Sequence, residues 1–137
     1  MSEIVVGYDG SGTSSAVLGK AIELAKGLGD SVVIVFGDAP GGYGGGEVRA
    51  QREAVEELAE KVTAQGAEQA KSAGVDYEVE LVNEHADQAL MTVAKKRDAR
   101  MIVVGSHGES ALKGAVLGST PYKLVHASET PVLVVRP

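Results

Sequence analysis

The stretch GSHGESALKGAVLGST, residues 105–120, holds the residue types best suited to chemistry. Gly105, Gly108 and Gly118 stand in a G-x2-G-x9-G spacing, and Ser119 and Thr120 follow the last of them. Glycine lets backbone N–H groups approach an anion with no Cβ in the way. The hydroxyls of Ser106, Ser119 and Thr120 add donors. A helix opening at Thr120–Pro121 would turn its positive end towards the same place. Singly, each residue reads as a turn or a cap. As a set, they read as a cradle for phosphate. Asp9, in GYDGSG, is a candidate acceptor for ribose hydroxyls or for a metal-bound water, although an Asx turn is its ordinary role. His107 is a candidate donor to phosphate and equally a solvated loop histidine. Lys113 is within loop reach of a terminal phosphate, and a solvated lysine is the commoner case. His85 and His126 show no zinc spacing with His107, and His126 suits the last turn of a helix.

Other phosphate and nucleophile motifs are missing. No stretch fits GxxxxGK[ST], GSGTSS lacks the third glycine of GxGxxG, and there is no GxSxG elbow. No local arrangement of Ser, His and Asp suggests a triad.

The elements that must position these residues alternate along the chain. EIVVGY (3–8) and SVVIVFG (31–37) read as buried strands. Between them, Thr13 to Leu28 puts Val17, Leu18, Ala21, Ile22, Ala25 and Leu28 on one helical face, with Ser11 or Thr13 as cap and Gly29 as stop. Residues 38–46 form a glycine-rich linker. Glu47 to Ala73 is a long helix with Val48, Val55, Leu58, Ala59 and Val62 inward, Gly66 as a possible interruption and Gly74 as terminator. Residues 76–82 alternate and predict a strand with one wet face near an edge. Ala86 to Arg97 is a helix with Leu90, Val93 and Ala94 inward, and its charges match the helix dipole. Residues 99–105 form a central strand, a helix capped by Thr120 runs to Ala127, and 131–135 is the last strand. This order predicts a single α/β domain over residues 1–137, with a mostly parallel sheet covered by helices on both faces. Ligands bind such sheets beyond the carboxyl ends of the strands, where strand order reverses. The segments 7–15, 37–42, 83–87 and 105–120 all fall there.

Composition narrows the function. The 137 residues include no cysteine, so disulfides, cysteine nucleophiles and thiolate metal sites are excluded. A net charge of −6 argues against a nucleic-acid backbone as partner, and five aromatic side chains make a poor stacking platform. The opening residues lack the pattern of a signal peptide, and no apolar run is long enough to span a bilayer. The expectation is a soluble, cytoplasmic protein.

The residues also carry a resemblance. Gly105-x2-Gly108-x9-Gly118-Ser119 is similar to the nucleotide-binding signature of universal stress proteins. IVVGYDGS (4–11), LKGAVLGST (112–120) and TPVLVVRP (130–137) resemble that family's first strand and acidic turn, its closing motif and its last strand. The resemblance implies a Rossmann-like, open five-stranded parallel sheet of order 3-2-1-4-5. It implies an adenine-nucleotide (ATP) site, with Mg²⁺ carried on the phosphates. Gly7, Tyr8 and Asp9 would lie by the adenosine and Gly37 by the adenine. Gly105, Ser106, His107, Gly108, Gly118, Ser119 and Thr120 would hold the ribose and phosphates. It further implies a homodimer through strand 131–135 and a nucleotide-dependent sensor or adaptor in the stress response, with slow ATP hydrolysis at most. Gly37 stands where the family usually has a larger apolar residue, and Glu109 where a basic one is common. Those departures keep an alternative open: a dimeric scaffold that has lost nucleotide binding.

Overall fold

The computed structural model describes residues 1–37, 46–106 and 117–137. Five strands alternate with four helices: β1 (Glu3–Gly7), α1 (Gly12–Leu28), β2 (Ser31–Gly37), α2 (Gly46–Ser72), β3 (Tyr77–Val82), α3 (Ala86–Arg97), β4 (Met101–Gly105), α4 (Ser119–Ala127) and β5 (Val132–Val135). All four strand pairings are parallel, and the order is β3-β2-β1-β4-β5. Register aligns Val5 with Val33 on one side and Ile102 on the other. The three inner strands, β1, β2 and β4, are runs of β-branched residues buried on both faces, as a helix-covered parallel sheet requires.

Side-chain alternation divides the core into two layers. Ile4, Val6, Val32, Ile34 and Val103 face α1 and α2, joined by Val17, Leu18, Ala21 and Ala70. Val5, Val33, Val35, Ile102 and Val104 face α3 and α4, joined by Leu90, Val93 and Leu124. The chain passes β1 to β2 to β3 outwards on one side, then crosses to β4 and β5 on the other. The reversal therefore lies between β1 and β4.

Local signals explain most boundaries. Ser11 caps α1, its Oγ accepting the Ser14 N–H at 3.1 Å, and Gly29 ends the helix in the left-handed region at φ 72°. Gly74 closes the loop after α2 at φ 74°. Four expectations are corrected. Leu28 and Leu58 are 46% and 58% exposed rather than inward. The described inner face of α2 carries Ala59 and Val62, as expected, together with Thr63 and Ala70. Gly66 does not interrupt α2. A Cβ there would stand 3.3 Å from Leu18 Cδ2 and from Tyr8 Cε1, so the glycine lets the helix lie close to both. The cap of α4 is Gly118, in extended geometry, rather than Thr120. The Gly118 N–H donates to the Ser106 carbonyl at 2.7 Å, which holds the cap in place and starts the helix at Ser119. Strand β3 is an edge, as expected, but it is open on both faces: Glu78 is exposed on one, and Tyr77, Val79 and Leu81 are 37%, 37% and 42% exposed on the other. The side chains of Val48 and Val55, and linker residues 38–45, lie outside the described residues.

Candidate functional site

The carboxyl ends of β1, β2 and β4 open into one cavity of about 330 Å³ at the point where strand order reverses. That volume suits a small organic ligand. Its floor is apolar: Val17 from α1, Val35 from β2, Leu90 from α3 and Val104 from β4. Its rim is polar and comes from helix starts. The beginning of α1 contributes Ser11, Thr13 and Ser14, and α4 contributes Gly118, Ser119, Thr120 and Pro121. The beginning of α3 contributes Ala86. Three helix N-termini thus meet at one cavity.

These N-termini are not equivalent. In α1 a first-turn donor is already used by the Ser11 hydroxyl. Neither α3 nor α4 has a side-chain cap. By helix geometry the first-turn N–H groups of α4, those of Ser119 and Thr120, have no carbonyl partner in the helix, and Pro121 has no N–H. No acidic side chain sits in that turn, whereas α3 carries Asp87 in its own. An anion in the cavity is therefore best served at the start of α4.

The expected site residues fall as follows. Gly7, Tyr8, Asp9, Gly37, Gly105, Gly118, Ser119 and Thr120 all line the cavity. Ser106 stands behind the wall. Its N–H donates to the Val135 carbonyl at 2.9 Å and its carbonyl accepts from Gly118, so its backbone ties β4, β5 and the cap of α4 together. His107, Gly108, Glu109 and Lys113 lie outside the described residues. The rest of the described lining, which includes Ser11, Thr13, Ser14, Val17, Val35, Leu90 and Val104, was not singled out from sequence as part of a site. Leu90 was legible only as a core residue, and nothing local distinguishes a core leucine from a cavity floor.

Two positions have roles that differ from the simplest expectation. The Tyr8 ring packs against Leu18 and the Gly66 position, and the residue is 5% exposed. Burial, with the nearby Asp9 charge, raises its phenol pKa above the ordinary tyrosine value. Gly37 is a close-packing site. A Cβ there would stand 2.9 Å from Ala86 Cα and 3.0 Å from Ala89 Cβ. The start of α3 fills the space that a larger residue would need.

Asp9 makes an Asx turn, its Oδ1 accepting the Ser11 N–H at 2.9 Å. Burial pushes its pKa up, but hydrogen bonds from Ser11 and Ser14 outweigh it, and the carboxyl titrates below its usual range. The cavity therefore carries a fixed negative charge beside α1. Among the described residues no group of three His, Cys, Asp or Glu side chains is placed to hold a metal ion. Asp9 is the only carboxylate among the described lining residues.

The universal stress protein family matches residues 1–136 of this sequence. The chain belongs to that family. Universal stress protein YxiE of Bacillus subtilis is 30% identical over 151 aligned positions, covering 98% of this chain and 99% of the relative. A universal stress protein of Mycolicibacterium smegmatis is 29% identical, and this chain spans 45% of its length. A universal stress protein solved in complex with cAMP superimposes with a TM-score of 0.77 at 27% identity, covering 98% of this chain and 96% of that one. The sheet order of this universal stress protein is the one the resemblance implied.

Proposed function

We propose that this universal stress protein binds an adenine nucleotide in the switch-point cavity and acts as a nucleotide-dependent sensor or adaptor. The observation that carries the reading is the division of one cavity into an apolar floor and a rim of helix starts and hydroxyls. An apolar floor suits a base, and the start of α4 suits a phosphate. The cAMP complex of a related chain supports the adenylate class. Within that class, ATP with Mg²⁺ is the proposed ligand. With Asp9 the only carboxylate among the described lining residues, the ion would be held by the phosphates rather than by a protein cage. No base and arginine pair lines the described cavity, so hydrolysis would be slow. A homodimer paired through β5 completes the proposal.

The test is direct. Freshly purified protein is denatured, and the released small molecules are identified by mass spectrometry. The stripped protein is then titrated calorimetrically with ATP, AMP and cAMP, with and without Mg²⁺. Released or rebound adenylate is expected. No adenylate and no heat would overturn the reading in favour of a scaffold without nucleotide.

A further inference from the structure

The cavity turn has a second side. Residues 9–15 line or adjoin the cavity, and α2 packs against that same turn and its flanks through three positions on one helical face. Val62, Gly66 and Gln69 follow one another at spacings of four and three, which puts them in line on a helix. Gly10 lies in the left-handed region at φ 85°, and a Cβ on it would stand 2.7 Å from Val62 Cγ1. Gly66 admits the Tyr8 ring. Gln69 grips the first turn of α1: the Ser15 hydroxyl donates to Gln69 Oε1 at 3.1 Å, and Gln69 Nε2 donates to the Ser15 carbonyl at 2.9 Å. Among the described residues, none of α2 lines the cavity.

We propose that Val62, Gly66 and Gln69 are positioning residues for the ligand-bearing β1–α1 turn, so that seating of α2 and occupancy of the cavity are energetically coupled. The proposal rests on the nucleotide reading for its ligand but not for its geometry. A glycine at φ 85° is free to take other conformations, and Val62 is the side chain that closes on it. Gln69 uses a donor and an acceptor on one residue of α1, which fixes both the distance and the rotation of the helix start. Coupling of this kind is reciprocal: whatever seats α2 tightens the site, and a bound ligand steadies α2. The described face of the helix, which does not line the cavity, would then report occupancy.

The variant Gln69→Ala removes both bonds, and Gln69→Glu keeps the acceptor for Ser15 Oγ while losing the donor to Ser15 O. Arg100→Ala, at the opposite end of the sheet, controls for lost stability alone. Without ligand, amide hydrogen exchange of residues 9–15 is expected to rise about tenfold in Gln69→Ala and less in Gln69→Glu, with the β1, β2 and β4 amides unchanged. With AMP as probe, affinity is expected to fall about tenfold in Gln69→Ala, to fall less in Gln69→Glu and to hold in Arg100→Ala. AMP is also expected to slow exchange along residues 62–72 of the wild type. Unchanged exchange at residues 9–15 in Gln69→Ala would overturn the coupling, whether or not AMP binds. AMP binding with equal affinity in wild type and Gln69→Ala would overturn it too. A wild type that binds no adenylate would sink the functional reading, while the ligand-free exchange would still decide the coupling.

Discussion

Gly10 shows how much a single residue at this site must satisfy. Its φ of 85° disfavours any L side chain, and Val62 Cγ1 would stand 2.7 Å from an added Cβ. Gly10→Ala is therefore expected to lower stability by about 2 kcal/mol, strain and overpacking together, as read from the urea unfolding midpoint. Gly118 carries the other half of the site. Its N–H is engaged with Ser106, and its backbone stays extended so that α4 begins at Ser119. Its φ of −64° is open to any residue, so Gly118→Val brings bulk to the cavity rim with little backbone strain. The variant should keep its thermal midpoint within a few degrees of wild type and lose calorimetric binding of ATP. Retained affinity would show that the start of α4 does not hold the ligand.

At the scale of elements, the end of the sheet away from the cavity is held by charge. The Asp30 side chain is 1% exposed and accepts from Arg100 Nε at 2.5 Å and from the Ser2 N–H at 3.0 Å. Arg97 reaches Glu3 at 2.8 Å, with Glu80 and Glu78 as further partners, and so ties α3 to β1 and β3. The Arg100 hydrogen bond holds the Asp30 carboxyl below its usual range against the opposing effect of burial. Burial raises the Glu80 pKa, but bonds from Lys96 and Arg97 outweigh that and leave it lowered. Carboxyls lowered in the folded state contribute stability that is complete above their unfolded values, near pH 4. That contribution is lost as pH falls through the folded values. Urea stability is thus expected to drop from pH 5 downwards. Asp30→Asn should cost about 1–2 kcal/mol at pH 7 and flatten part of the acid slope. An unchanged slope would remove Asp30 from the account.

The same scale shows what could be read without coordinates. Helix α1 and the three inner strands were legible because each boundary is set by a local device: the Ser11 cap, the Gly29 terminator and runs of β-branched residues. Helix α2 was legible in extent, and its inner face in part, through Ala59 and Val62. Its weak amphipathic pattern pointed Leu58 inward, whereas the partner it meets is set by the Tyr8 ring and the Gly10 turn, both distant in sequence. The glycines and hydroxyls among the described lining residues could be read from the chain, because turns and helix starts at the strand ends restrict residue type. The apolar floor of the cavity could not, because Val35, Leu90 and Val104 are ordinary core residues until the topology brings them to one cavity.

Across the whole molecule, the two sheet edges differ in chemistry. At β3 the outer strand carries Glu78 and Glu80, both paired to Arg97, and such charges blunt edge-to-edge association. At β5 the strand is VLVV with no charge, and Leu133 is 38% exposed. Leu24, Gly27, Leu28, Leu133 and Val135 continue it into an open apolar groove beside α1. A bare apolar edge is an aggregation hazard unless something of like shape covers it, and a second copy related by a two-fold axis is self-complementary by construction. Wild type is therefore expected to sediment as a dimer. Leu133→Asp should shift it to monomer while keeping the fold, since Leu133 already stands partly in solvent and the deep core layers do not rest on it. Analytical ultracentrifugation over a hundredfold range of concentration reads the outcome. A wild type that stays monomeric throughout would leave the β5 edge without its proposed partner. A Leu133→Asp dimer as tight as wild type would place the interface on another face of the molecule.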